Sequence, residues 1–111
     1  MLEGASVQGL GLFERKQIER AIGTRKRYRY VHPRVRVVPE GVLVESPCCS
    51  RRIDPDGGIV DIALLQHLDS GGWRLYRKDH ASAQWCLHGA YERLADLLEP
   101  LKEDSERVFW Q

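Results

Sequence analysis

One short stretch decides the fold: RVRVVPEGVLV, at residues 34–44. Arg34 and Arg36 alternate with valines before Pro39-Glu40-Gly41, and more β-branched residues follow the turn. Alternating β-branched residues are typical of strands, and Pro followed by an acidic residue and Gly is typical of a tight turn. The stretch therefore predicts an antiparallel β-hairpin.

Further strands are predicted on both sides of this hairpin. Residues 28–32 alternate at a spacing of two, and 46–58 is a loop rich in Pro, Gly and Asp. The apolar run at 59–65 is compatible with a buried strand or a buried helix. We favour a strand, because a Ser-Gly-Gly turn and strand-like segments follow. These segments are 73–77 and 84–88, joined by a turn at 79–83.

Two tryptophans are expected in the core of the sheet. Trp73 and Leu75 alternate in one predicted strand, and Trp85 and Leu87 alternate in the next. Alternate residues of a strand share one face. We therefore expect both rings to be buried on the same side of the sheet.

Helical periodicity marks both ends of the chain. At about 100° per residue an N-terminal stripe falls on one broad face, and Gly23 offers a C-terminal stop. This stripe consists of Leu10, Phe13, Ile18, Ala21 and Ile22. The C-terminal stripe consists of Tyr91, Leu94, Leu97, Leu98 and Leu101. Pro100 is expected to break or kink this second helix. Asp104 or Ser105 is expected to cap a last short turn carrying Val108, Phe109 and Trp110.

The chain of 111 residues is long enough for one hydrophobic core. We expect a flexible tail at residues 1–9 and one α+β domain at 10–111. The domain would consist of a four- or five-stranded antiparallel sheet with an N-terminal and a C-terminal helix. Two amphipathic helices can cover one face of such a sheet.

Composition restricts the class of protein. Hydrophobic residues make up 42% and charged residues 30%, which is typical of a folded globular chain. No apolar run approaches the roughly 20 residues of a membrane span, and the N-terminus carries no secretory signal pattern. Three cysteines, an odd number, do not form a disulfide framework. We therefore expect a reduced, cytoplasmic protein with no membrane partner; the oligomeric state is left open.

Charge is divided unevenly along the chain. Residues 14–36 hold nine Lys or Arg against two Glu, a net charge of +7, whereas residues 37–111 have a net charge of −5. Basic and aromatic residues alternate here, as in surfaces that bind phosphates and stack bases. The candidate contact residues are Arg25, Lys26, Arg27, Tyr28, Arg29, Tyr30, Arg34 and Arg36. We expect a non-enzymatic module for nucleic acid or an acidic protein; alternatively, the tyrosines pack inward and the arginines are solvated or paired internally.

A metal-binding or thiol-dependent protein is the competing interpretation. Its candidate ligands are Cys48, Cys49, Cys86 and His88. Cys86 and His88 would share one face of a strand, but structural zinc sites usually use cysteine pairs spaced by two to four residues. Core or loop cysteines are the plainer explanation. No cofactor is predicted.

Catalysis finds little support in the sequence. Asp79-His80 with Cys86 or Cys49 supplies the residue types of a nucleophilic site, without an activating strand-to-helix turn. Residues 54–58, DPDGG, lack the ligand pattern of a calcium loop and fit a tight turn. No catalytic residue is assigned.

A helical segment from Phe13 to Ile22 precedes the stretch GWRLYR at residues 72–77, and Trp85 follows. A chain with these motifs in this order resembles a bacterial family of small conserved domains of unknown function. In that family an N-terminal helix precedes a meander, and a Trp-x-Leu-Tyr strand is followed by a strand with another Trp. The chain departs from the pattern at residues 47–50 and in its long C-terminal helix. The resemblance implies the fold and carries over no activity.

Overall fold

The structure is a computed structural model, and it describes residues 11–24, 33–47, 58–104 and 108–110. Two helices enclose five strands in the chain. The elements are α1 (Leu12–Gly23), β1 (Arg34–Val38), β2 (Gly41–Pro47), β3 (Ile59–His67), β4 (Trp73–Asp79), β5 (Gln84–Tyr91) and α2 (Leu94–Glu103). No helix within these described ranges is long and apolar enough to cross a membrane.

The strands form one antiparallel meander in the order β1-β2-β3-β4-β5. The α+β prediction with a helix near each end is confirmed, and residues 59–65 belong to a strand. Strand β2 extends to Pro47, two residues into the predicted loop. The predicted strand at 28–32 and most of the 46–58 loop lie outside the described residues, as does the N-terminal tail.

The β1–β2 hairpin turns at Pro39-Glu40, as predicted, with Val38 opposite Gly41. Gly41 has φ of 153°, and a Cβ atom there would collide with the backbone oxygen of Leu65 in β3. Only glycine permits both the dihedral and the close approach. The turn therefore fixes the register of three strands at once.

Both helices pack on the same side of the sheet, called here the helix face. Helix α1 lies against β1 and α2 lies against β4 and β5, and the two helices touch each other. The buried residues between them are Ile18, Ala21, Ile22, Val35, Val42, Val44, Ala63, Leu65, Trp73, Leu75, Leu94, Leu97, Leu98 and Leu101. The leucine stripe of the C-terminal helix is thus confirmed.

One residue of the N-terminal stripe was placed wrongly. Phe13 is 77% exposed, whereas Ile18, Ala21 and Ile22 are buried. Phe13 and Ile18 are five positions apart in the helix, an angular offset of about 140°, so the two side chains leave the helix on opposite sides. Leu10 lies outside the described residues.

The C-terminal helix differs from the expected one at two points. Tyr91 is the last residue of β5 and the helix begins at Leu94, so the strand extends three residues beyond the predicted end. The expected break at Pro100 is absent, and α2 continues to Glu103. Burial of Leu97, Leu98 and Leu101 offsets the backbone hydrogen bond that proline cannot donate.

The residues after α2 fold back onto the core, as predicted for an Asp104 cap. Asp104 has φ of 43°, and its carboxylate accepts backbone N–H bonds from Val108, Phe109 and Trp110 at 2.8–3.3 Å. The Trp110 indole N–H donates to the Leu101 carbonyl at 2.8 Å. Phe109 and Trp110 are therefore fully buried.

The prediction for the two tryptophans is half correct. Trp73 is buried on the helix face, but Trp85 is only half-buried and Leu87 is exposed. The register of β4 and β5 shifts at His88, because Leu75 lies opposite Gly89 whereas Tyr76 lies opposite Leu87. One extra residue in β5 reverses the alternation, so Trp85 and Leu87 leave the core side.

Candidate functional site

The side of the sheet away from the helices is called here the second face. Strand alternation, an extra residue in β3 at Ile62 and the β5 bulge assign its side chains. They are Arg34 and Arg36 of β1, Leu43 and Glu45 of β2, Asp61, Leu64 and Gln66 of β3, Arg74, Tyr76 and Lys78 of β4, and Trp85 and Leu87 of β5. Leu43 and Leu64 are buried in the middle of this face. Its exposed groups therefore lie toward the margins.

At the β1 margin two arginines share one carboxylate. Arg36 donates Nε–H to Glu45 Oε1 at 3.1 Å and Nη2–H to Oε2 at 3.0 Å. Arg34 donates Nε–H to Oε1 at 3.0 Å. This arginine pair, Arg34 and Arg36 on Glu45, follows from the hairpin register, because Arg34 lies directly opposite Glu45.

The carboxylate is buried while both guanidinium groups remain in solvent. The side chain of Glu45 is 8% exposed, against 65% for Arg34 and 53% for Arg36. The hydrogen bond from Arg36 is the main cause that lowers the pKa of Glu45, helped by the bond from Arg34. The same contact raises the pKa of Arg36. Both shifts favour the ionised forms of Glu45 and Arg36, and the two arginines and one glutamate have a formal net charge of +1.

The arginine pair retains donors for a ligand. A guanidinium carries five N–H bonds. In the described part of the chain, Nη1 and Nη2 of Arg34 and Nη1 of Arg36 have no hydrogen-bond partner. Glu45 holds the two forks in place, which reduces the entropy lost when they bind an anion. The arrangement suits an oxyanion such as phosphate or carboxylate.

One of the two cations of β4 on this face is already neutralised. Lys78 forms an ion pair with Asp61 at 3.1 Å and lies 4.7 Å from the centre of the Trp85 ring. Tyr76 donates its hydroxyl proton to Gln66 at 3.1 Å. This region therefore contributes aromatic surface and one exposed guanidinium, that of Arg74.

Of the eight predicted contact residues, the structure describes Arg34 and Arg36 and brings them together. Arg25, Lys26, Arg27, Tyr28, Arg29 and Tyr30 lie outside the described residues, so their contact role stays a prediction. The alternative of internal pairing applies in part, because Arg34 and Arg36 both contact a carboxylate.

The metal or thiol hypothesis remains a prediction, because Cys48 and Cys49 fall outside the described ranges. Cys86 lies opposite Arg77, and the His88 ring packs edge-on against Phe109 with 4.9 Å between ring centres. Among the described residues no group of three or more His, Cys, Asp or Glu side chains could hold a metal ion. Elemental analysis of the purified protein tests the four-residue site.

Asp79 and His80 lie at the β4–β5 turn. Asp79 accepts the Ala81 N–H at 3.1 Å, and a hydrogen bond from Ser82 is the main cause that lowers the pKa of Asp79. Partial burial lowers the pKa of His80. The carboxylate therefore shapes the turn, as aspartates commonly do.

Glu45 was missed in the sequence as a member of the site. The signal was present in the position of the turn. With Pro39 and Glu40 as the two turn residues, Val38 faces Gly41, and the residue numbers of every facing pair add up to 79. This sum places Glu45 opposite Arg34 and beside Arg36. The register of a two-residue hairpin therefore suffices to find the buried carboxylate.

Comparison with known proteins identifies a family and no function. A family model described as "Domain of unknown function (DUF3024)" matches residues 10–111. No curated protein and no solved structure matches the chain. The site must therefore be interpreted from its own geometry.

Proposed function

We propose that this chain, which belongs to the DUF3024 family of domains of unknown function, is a non-enzymatic module that binds single-stranded nucleic acid. The arginine pair carries the proposal. Two exposed guanidinium groups are fixed by one buried carboxylate and keep donors for a phosphate. Arginine forks match phosphate oxygens in geometry as well as charge.

The sequence before the pair extends the positive charge. Residues 25–39 contain six Lys or Arg and no Asp or Glu, and Arg34 and Arg36 are the last two of the six. A phosphate backbone presents a row of anions, so a row of cations binds it better than an isolated anion. The proposal includes Arg25, Lys26, Arg27 and Arg29 as further phosphate contacts.

An aromatic residue of the second face favours a single strand over a duplex. Tyr76 of β4 lies on the same face as the arginine pair. Three strand spacings of about 4.8 Å place it roughly 14 Å from β1. Unpaired bases can stack on an exposed part of a ring, whereas bases inside a duplex cannot.

Fluorescence anisotropy with a labelled single-stranded oligonucleotide tests the proposal. Arg34→Gln removes one exposed guanidinium while Arg36 keeps both bonds to Glu45. The matched control is Arg93→Gln, at an exposed arginine paired with Asp96 beside α2. We expect Arg34→Gln to weaken binding several-fold and to reduce the logarithmic salt slope by about 1, because one phosphate contact is lost. The control should leave both quantities unchanged.

Two results would contradict the proposal. One is absence of binding to the oligonucleotide at low salt. The other is an equal loss of affinity in Arg34→Gln and Arg93→Gln, which would show that only the net charge of the protein matters. If polyglutamate binds tightly where the oligonucleotide does not, the partner is an acidic protein instead.

A further inference from the structure

Strand β5 forms an edge of the sheet without charged residues. Its sequence is QWCLHGAY, residues 84–91, with no Asp, Glu, Lys or Arg. Among the described strands it pairs with β4 alone. Its outward backbone groups form no hydrogen bond elsewhere in the described parts of the chain. Such an edge is a template for another strand, and natural proteins commonly protect it with charge or cover.

The side chains of β5 are also suited to pairing. Leu87 is 56% exposed and Trp85 is half-buried, and both lie on the second face. Cys86 lies between them on the helix face. The bulge at His88 limits regular geometry to Gln84–Leu87, the first half of the strand. A partner strand would therefore pair with this half.

We propose that a second copy of the chain pairs with β5 in antiparallel orientation, about a two-fold axis at Cys86. Residues directly opposite each other in an antiparallel pair have their side chains on the same face of the sheet. Neighbouring residues of one strand lie on different faces, so the two-fold axis must relate one residue to its own equivalent in the partner. At Cys86 it places Trp85 opposite the partner's Leu87, and Leu87 opposite the partner's Trp85. The exposed leucine of each copy then gains a tryptophan neighbour.

The charges of the two edge strands favour a second copy as the occupant of the β5 edge. A two-fold axis brings each side chain near its own equivalent, and like charges directly opposite are destabilising. Strand β5 has no charge to oppose. The β1 edge carries Arg34 and Arg36, and Arg15 of α1 donates to the Val35 carbonyl at 2.9 Å. Pairing β1 to β1 is therefore unfavourable, and the assembly ends at two copies.

Sedimentation equilibrium over a range of concentrations tests this dimer. Because four residues per strand form a small interface, we expect a roughly micromolar dissociation constant. Leu87→Lys places charges near the axis and should weaken the dimer at least tenfold. The matched control is Val37→Lys on β1, where the side chain is 48% exposed, and it should leave the dimer unchanged. A wild-type monomer at about 1 mM, or equal weakening by the control, overturns the proposal.

Cross-linking through the native thiol tests the register without changing Leu87. In Cys48→Ser/Cys49→Ser only Cys86 remains, and opposite residues of paired strands have Cα atoms about 5 Å apart. A short bis-maleimide should convert this variant into a covalent dimer, and further replacement of Cys86→Ser should abolish the product. If the variant sediments as a dimer but yields no cross-linked product, an axis at Cys86 is excluded.

Discussion

The two edge strands of the sheet differ in charge and in what lies against them. Strand β1 has two arginines held by Glu45, and Arg15 occupies one of its carbonyls. Strand β5 is longer and carries no charge. The backbone groups on its outer side have no hydrogen-bond partner among the described residues. A five-stranded meander has two edges, and of the two edge strands β1 carries charged side chains and β5 carries none.

The difference indicates separate uses for the two edges. Charged side chains on β1 oppose pairing with another strand and can also bind anions. An uncharged edge with an exposed leucine favours a strand of the same chain. Because the sheet separates the edges by about 19 Å, one can bind a ligand while the other forms a dimer.

The largest difference in unfolding free energy is expected between a substitution in the sheet interior and one at the β5 edge. Trp73→Ala removes a buried ring from the core and should cost about 3–5 kcal/mol of unfolding free energy. Trp85→Ala removes a half-buried ring that contacts Lys78 and should cost about 1 kcal/mol. Urea denaturation measures both losses at a concentration where the chain is monomeric. Similar losses would mean that Trp85 belongs to a core and that the bulge assignment is wrong.

The second prediction concerns the segment that supports the β5 side. Asp104→Ala leaves the N–H groups of Val108, Phe109 and Trp110 without their acceptor and should cost about 2–4 kcal/mol. The matched control is Asp96→Ala, a half-exposed carboxylate on the same helix, which should cost under about 0.5 kcal/mol. Equal losses in thermal or urea denaturation would show that the C-terminal segment contributes little.

The third prediction applies to the β1 edge. Glu45→Gln should cost about 1–2 kcal/mol, because two charged hydrogen-bond partners lose a carboxylate while remaining in solvent. The folded-state pKa of Glu45 is lowered, so its contribution is complete above the unfolded-state pKa and is lost as pH falls through the folded value. Stability of the wild type should therefore decline in acid more than that of Glu45→Gln. Parallel declines in pH-dependent denaturation would contradict this.

The smallest effect on stability should come from replacing Arg15. This replacement also removes part of the protection of the β1 edge, so it makes the two edges more alike. Arg15→Met removes the hydrogen bond to the Val35 carbonyl and should cost about 0.5–1 kcal/mol. It also exposes an acceptor on β1, so species larger than a dimer should appear at high concentration. Arg20→Met, five residues further along α1, is the control. Identical mass distributions for the two variants would show that Arg15 does not protect the edge.

Local patterns were sufficient to predict much of the fold. The hairpin at residues 34–44 and the leucine stripe of α2 depend on local spacing and turn residues, so the sequence specifies them. The strand at 59–65 was favoured over a helix only because a Ser-Gly-Gly turn and strand-like segments follow it. The Asp104 cap was also predictable, because a short acidic side chain precedes an apolar segment. These features need no knowledge of distant contacts.

Two features depended on information that periodicity does not contain. The β5 bulge moves Trp85 and Leu87 to the second face, and Gly89 was its one local signal, since glycine within a strand often marks a bulge. The arginine pair required the register of the hairpin in addition to its existence. Charge along the sequence identified Arg34 and Arg36 but not the buried Glu45 that holds them.

Hydrogen–deuterium exchange of the wild-type protein tests the difference between the edges most directly. Exchange is followed at low and high protein concentration, and at low concentration with a single-stranded oligonucleotide. We expect higher protein concentration to slow exchange in β5 at residues 84–87 and not in β1. The oligonucleotide should slow exchange in β1 and not in β5. Protection of both edges by either condition, or of neither edge by both, would contradict separate roles for β1 and β5.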